Sequence, residues 1–426
     1  MGNFTDLAPE LISEILSYLE FEPATLCQLA LASTRFRDPA QQTLLKHLVL
    51  QLDCSEGGGT SPFDHVVSIL DRDPRLPDLV RTLIVSWTAP SIQIQPRFFA
   101  FLGRLQGLEC LHISTMRMLD RIPELPSEAH DLLMNALARL KRFRRSRGLI
   151  SWRALDEFTN LPSLVDISLE YPPPRFPRPG SEDGGFASLR RLELGNWKGP
   201  RQNDPLEALL EKTTSLEALH VSIHEETHTQ ILAQLSEIGQ VFSAVRHTLK
   251  DLTIDGPPRY ERSILDLTGF TSLERVRAVA DFFYCPRRAD RLRDGMHWRL
   301  PKTLKEFKVA IPFNLHFQVL TILELVFMSR CGFVLRTVDP WMPGMTVLNP
   351  KLEEQWVAQL AINKAIHFPE LQSVSITENV WDKGSKAEDF KFPNNLPLAF
   401  QANSVAFQAR CCVVQRDFIH RFEVLQ

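Results

Sequence analysis

His224-Glu225-Glu226-Thr227-His228 satisfies the spacing that, on one helix face, would hold zinc between two histidines and leave Glu225 as a general base. The flanking residues argue against that chemistry. Leu219 to Ile223 reads as a strand, which puts His224 at a strand end and His228 in the following turn, so the two imidazoles do not share a helix face. A second group is the basic run Arg139-Leu140-Lys141-Arg142-Phe143-Arg144-Arg145-Ser146-Arg147, which could carry an import signal or bind phosphate. It reads equally as the C-terminal end of a helix over Ser127 to Phe143, where cations are favoured by the helix dipole. Gly57-Gly58-Gly59-Thr60 lacks the lysine of a phosphate loop and reads as a linker. Tyr171 to Gly185 is rich in proline and glycine and reads as an exposed loop. No nucleophile elbow, dinucleotide fingerprint or spaced metal cluster occurs, so the sequence predicts a non-catalytic chain with no metal and no cofactor.

The elements around these residues are repetitive. An L-x-x-L-x-L phrase recurs at Val80-Leu83-Val85, Leu108-Leu111-Ile113, Leu164-Ile167-Leu169, Leu189-Leu192-Leu194, Leu216-Leu219-Val221, Leu249-Leu252-Ile254, Leu273-Val276-Ala278, Leu304-Phe307-Val309 and Leu371-Val374-Ile376. Successive middle residues lie 28, 56, 25, 27, 33, 24, 31 and 67 positions apart, so two gaps are near double a single period. This is the spacing of leucine-rich repeats, in which a short strand turns its leucines inward and a helix or loop returns outside. Helical returns are predicted over Ser127 to Phe143, Pro205 to Lys212, Thr229 to Val245 and Lys351 to Ile366. The fold class is therefore α/β: a small N-terminal helical module, residues 1–50, a Gly-rich linker, 51–65, and a curved solenoid of short parallel strands over 66–426.

Strand alternation turns the residues between the inward leucines toward a concave face. On that face Glu170, Glu193, His220, Ser222, His224, Asp255, Arg277 and Lys308 are predicted to contact a bound protein. Their character shifts from acidic and histidine-bearing to basic at Arg277 and Lys308, which suits a mixed-charge protein surface and disfavours nucleic acid. The formal charge of -3, with 44% hydrophobic and 23% charged residues, exerts no global pull toward nucleic acid or membrane. Seven scattered cysteines without a C-x-x-C pair suit a reducing compartment. No signal-peptide pattern and no long apolar run is present, and a cytosolic or nuclear location is expected.

Residues 7–45 form three apolar-striped helical segments. Leu11, Ile12, Ile15, Leu16 and Leu19 recur at helical spacing behind Asp6 as N-cap, and Leu26, Leu29, Ala30 and Leu31 follow Pro23. About 40 residues bury too little apolar surface to be comfortably stable alone, so a partner protein is expected to cover what remains. The segment resembles the F-box: Leu7-Ala8-Pro9-Glu10-Leu11-Ile12 is similar to the family's opening Leu-Pro-x-Glu-Leu-Leu, and Ser33-Thr34-Arg35-Phe36-Arg37 to its Ser-Arg-x-Phe-Arg stretch. The loop Glu20 to Thr25 is longer than the family's, and Leu44 and Leu45 stand where it often has an aromatic.

The resemblance implies a substrate receptor of an SCF-type cullin ubiquitin ligase. Leu7, Pro9, Glu10, Leu11, Ile15, Leu16, Leu19, Leu26, Leu29 and Phe36 would lie in or support the surface that docks a Skp-family adaptor and, through it, the cullin. The repeats would hold an unknown protein substrate. The alternative is an F-box scaffold or nuclear interaction protein with no role in degradation.

Overall fold

The computed structural model describes residues 7–20, 22–52, 62–87, 94–115, 126–159, 161–171, 186, 188–197, 205–223, 239–255, 265–279, 282–283, 296–311, 357–380 and 395–413. Contacts divide the chain into two units, Met1–Gly195 and Asn196–Gln426.

The first unit opens on three helices, α1 (Pro9–Ser17), α2 (Pro23–Ala32) and α3 (Thr34–Lys46). Proline stands in the first turn of α1 and α2, where its missing N–H has no intrahelical partner to lose. Ala8 occupies the cap position of α1, two residues past the expected cap Asp6, and offers no capping side chain. Ser33 caps α3 by accepting from the Arg35 N–H at 3.2 Å. Thus Ser33 to Phe36 starts a 13-residue helix. Ile12, Leu16, Leu26, Ala30, Phe36 and Ala40 close into one small core, with Leu7, Leu19, Leu29 and Leu44 packed at its edge.

Strands follow directly: β1 (His47–Gln51), β2 (Thr82–Trp87), β3 (Cys110–Thr115), β4 (Arg142–Ser146), β5 (Asp166–Leu169) and β6 (Arg191–Trp197), each parallel to the next. The first strand therefore begins inside the span read as a helical module. Gln51 closes β1, Leu52 N–H donates to the Ser86 carbonyl at 2.8 Å, and helix α4 (Pro62–Arg72) begins inside the span read as linker. Residues 53–61, with the glycine run, lie outside the described residues. In the second unit β7 (Ala218–Ile223), β8 (Asp251–Asp255), β9 (Arg275–Val279), β10 (Glu306–Ile311), β11 (Ser373–Val380) and β12 (Ala406–Val413) are likewise parallel neighbours. The body is thus a leucine-rich-repeat-type α/β array.

The second and third residues of all nine phrases fall on strands, and each of the 27 inward residues is at most 2% exposed. The register aligns them rung by rung, for example Leu111↔Phe143↔Ile167↔Leu192 and Leu219↔Leu252↔Val276↔Phe307. One carbonyl per repeat fixes this register by accepting two N–H groups from the next repeat. Glu109 O takes Lys141 and Arg142, Lys250 O takes Glu274 and Arg275, and Lys305 O takes Gln372 and Ser373, all between 2.8 and 3.1 Å. The last of these makes β10 and β11 neighbours despite the long sequence between them.

The helix predicted over Ser127 to Phe143 ends at Leu137, and β4 takes the basic residues beyond it. This corrects the reading of the run as a helix terminus. Leu140, Phe143 and Arg145 form a tenth phrase whose third inward place is an arginine. Phe143 lies 32 residues after Leu111 and 24 before Ile167, which resolves the first double gap. The predicted return at Pro205 is α8 (Pro205–Glu211). Of the Thr229 to Val245 return, the described part ends in a 3-10 turn at Phe242–Val245. The C-terminal prediction survives as helix over 357–362 and 364–367, broken at Asn363, with 351–356 outside the described residues.

Candidate functional site

The helical module sorts its apolar residues into two sets. Leu16, Leu26 and Phe36 are buried in its own core with Ile12, so they support a surface and do not form it. Leu7, Ile15, Leu19 and Leu29 are half-buried, and Pro9, Glu10 and Leu11 are exposed. Leu11 is 47% exposed, and two residues outside the sequence-derived set are barer still, Tyr18 at 79% and Leu31 at 84%. Their signal was present, since both sit on the helix side opposite the Ile12–Leu16 and Leu26–Ala30 core pairs. Arg35 ties the module's start down by donating to the Leu7 carbonyl, and His47 Nε2 lies 3.2 Å from Glu20 Oε2.

The solvent-side face of the strands is the second surface. In the second unit its charges neutralise one another across rungs. His220 on β7 meets Asp255 Oδ2 at 2.9 Å, Arg277 Nε on β9 lies 3.8 Å from Asp255 Oδ1, and Arg275 Nε donates to Asp251 Oδ2 at 2.9 Å. Lys308 Nζ is 2.7 Å from Glu306 on its own strand. Hydrogen bonding to Asp251 raises the Arg275 pKa. Ser222 is half-exposed on β7, next to Asp255 in register. His224, with Glu225 and His228, lies outside the described residues; β7 ends at Ile223, as the strand reading of this segment requires. Among the described residues no cluster has metal-ligand character.

In the first unit Glu193 pairs with Ser168 in register, and Glu170, just past β5, accepts the Arg147 N–H at 2.8 Å. On β4, the strand beside β5, stand residues that sequence reasoning assigned to a helix end. Arg142 and Arg144 are exposed on β4 and Arg191 on β6. Asp166, in register with both Arg142 and Arg191, has its pKa raised by burial against the pull of Arg191, Arg144 and Arg142. Burial, then Arg144 and Arg145, lowers the His112 pKa, and its Nε2 lies 2.9 Å from Ser146 Oγ. Burial likewise raises the Cys110 thiol. The neighbouring Arg145 points inward at 1% exposure, its pKa lowered by burial to about 10, with Nη2 donating to the Leu149 carbonyl at 3.4 Å. With Phe143 and Arg145 buried and the backbone paired on both sides, this run is not the accessible extended peptide that an import signal requires.

No family model matches the sequence, and no curated protein matches it. Solved structures do match, among them the crystal structure of a TLR13–ssRNA13 complex, with a TM-score of 0.34 and 14% identity over 88% of this chain and 55% of that one. The chain thus spans about half the length of that relative. The repeat assignment rests on the rung-by-rung register and the buried phrase residues. No helix among the described residues is long and apolar enough to cross a membrane.

Proposed function

We propose that the chain is a substrate-recognition subunit of an SCF-type cullin ubiquitin ligase, with α1–α3 docking a Skp-family adaptor and the strand faces holding a protein substrate. The supporting observation is the module itself. Its three helices close a six-residue core yet leave Leu11, Tyr18 and Leu31 exposed. Large exposed apolar side chains gain about 25 cal/mol per Å² when covered, so a partner is the favoured completion. The subunit would do no chemistry; it would raise the effective concentration of substrate lysines beside a ubiquitin carrier.

The test uses the surface set, because Leu16→Asp would collapse the module's core and make lost binding uninformative. Wild-type chain is expected to co-purify with the adaptor and a cullin, and Leu11→Asp, Leu31→Asp chain, melting like wild type, to lose both. Retention by that variant would count against the assignment.

A further inference from the structure

We propose that the strand face of the first unit binds an acidic peptide segment, with Arg142, Arg144 and Arg191 as its anion-recognising residues and His112, Ser146 and Ser168 as hydrogen-bonding neighbours. The inference rests on the reading above that the strand faces hold a protein, and it adds the chemistry of the segment held.

Strands β4 and β9 differ in how their arginines are paired. β4 and β9 carry arginine at the same two phrase positions, Arg142 and Arg144 on one, Arg275 and Arg277 on the other. Both β9 arginines have a carboxylate on the adjacent rung of β8. The β4 arginines face Cys110 and His112 on β3, and Asp166 and Ser168 on β5. Among the described residues neither they nor Arg191 makes an ion pair or side-chain hydrogen bond. His112 brings no negative charge, Asp166 is half-buried in register with Arg142 and Arg191 without an ion pair to either among the described residues, and Glu193 lies on β6 opposite Ser168. Three exposed guanidiniums therefore stand outside any ion pair among the described residues, in a chain of formal charge -3.

Guanidinium geometry matches planar or tetrahedral oxyanions bidentately. Arg142 and Arg144 are alternate residues of one strand, so their origins lie about 7 Å apart, the same repeat at which an extended peptide presents alternate side chains. A peptide with acidic groups at alternate positions fits that spacing. A nucleic acid strand suits the face less well: among the described residues no outward residue of β3 to β6 is Phe, Tyr or Trp, and Asp166 and Glu193 interrupt any phosphate track.

The test measures fluorescence anisotropy of a labelled Glu-Ser repeat peptide on the full chain, beside versions with phosphoserine for serine and glutamine for glutamate. Two variants remove the same charge: Arg142→Gln, Arg144→Gln, Arg191→Gln, and the paired set Arg275→Gln, Arg277→Gln, Lys308→Gln. The Glu-Ser or phosphoserine peptide is expected to bind wild type and the Gln-Ser peptide not; which of the two binds tighter tells carboxylate from phosphate recognition. Affinity should fall about tenfold or more in the first variant, the scale of losing charge-assisted hydrogen bonds, and stay within about twofold in the second.

No binding by either acidic peptide, equal losses in both variants, or displacement of the peptide by single-stranded RNA would each overturn the inference. Should the first variant fold poorly, the wild type decides through its histidine ring signals. The His112 signal shifts with peptide while His220 does not, and the reverse overturns the proposal. Adaptor co-purification is read separately, so lost peptide binding with adaptor retained overturns this inference alone.

Discussion

Strands β4 and β9, Arg-Phe-Arg-Arg-Ser and Arg-Val-Arg-Ala-Val, carry arginine at the same two positions, yet among the described residues the β9 arginines are ion-paired and those of β4 are not. The difference lies in pairing: Asp251 and Asp255 on β8 lie 2.9 and 3.8 Å from the β9 arginines, whereas β3 offers Cys110 and His112, and Asp166 on β5, in register with Arg142, makes no ion pair with it among the described residues. In a parallel repeat array the charge a partner meets is thus set across strands, at about 4.8 Å, and not along the sequence. Arg277 and Lys308, which look basic in the sequence, are balanced by Asp255 and Glu306.

The largest expected effect breaks the interior side of that comparison. Phe143 stacks on Phe158 with ring centroids 4.2 Å apart, and Phe143→Ala should cost about 3–5 kcal/mol in urea denaturation, against about 2 kcal/mol for Val276→Ala on β9. Exchanging the neighbours comes next. Asp251→Asn with Asp255→Asn should make β9 behave like β4 and raise acidic-peptide affinity about threefold to tenfold, while Cys110→Asp, opposite Arg142, should lower it by a similar factor. Unchanged affinity in both would mean that rung neutralisation does not control binding.

A smaller effect is read in pH. His112 titrates below the free value of 6.5 because burial and two arginines disfavour its cation. The unfolded chain therefore takes up the proton first, and stability should fall as pH drops through 6.5, a slope that His112→Gln should flatten. The smallest effect belongs to the exposed Lys141–Glu109 pair at 2.8 Å, where Lys141→Gln should cost less than about 1 kcal/mol. The Lys141 contact holds the Glu109 pKa below its ordinary value, so that contribution is lost as pH falls toward the lowered value.

Nine strands were legible because leucine, isoleucine or valine fills nearly every inward place, and period-two burial leaves no other solution. β4 was not, since Arg145 occupies an inward place and Leu140 continues the apolar stripe of the helix before it. β1 hid its Leu45-Leu48-Leu50 phrase behind the end of α3, and β12 carries Phe407 and Ala409 in place of leucines. In the helical module, periodicity found the apolar residues but not their side. Leu16 and Leu11 satisfy the same spacing, and only packing of three helices shows that one is interior and the other bare. Whether the arginines are ion-paired could not be read at all, because it depends on residues 22 to 24 positions away that the strand register brings alongside.

The residue that opens each bracketing turn also carries an address. In the second unit Glu217, Lys250, Glu274 and Lys305 alternate in sign, with Glu217–Lys250 at 3.2 Å and Glu274–Lys305 at 2.9 Å. Their repeats are otherwise interchangeable leucine ladders, and a folding chain that skipped one would gain nearly the same apolar burial. Skipping β8 would set Glu217 beside Glu274, and skipping β9 would set Lys250 beside Lys305, each a like-charge contact on the order of 0.2–1 kcal/mol unfavourable. Misassembly between non-consecutive repeats is a characteristic hazard of such arrays. Here four side chains spell out the order of assembly, and a chain with Lys250 and Glu274 exchanged should refold with a larger misassembled fraction.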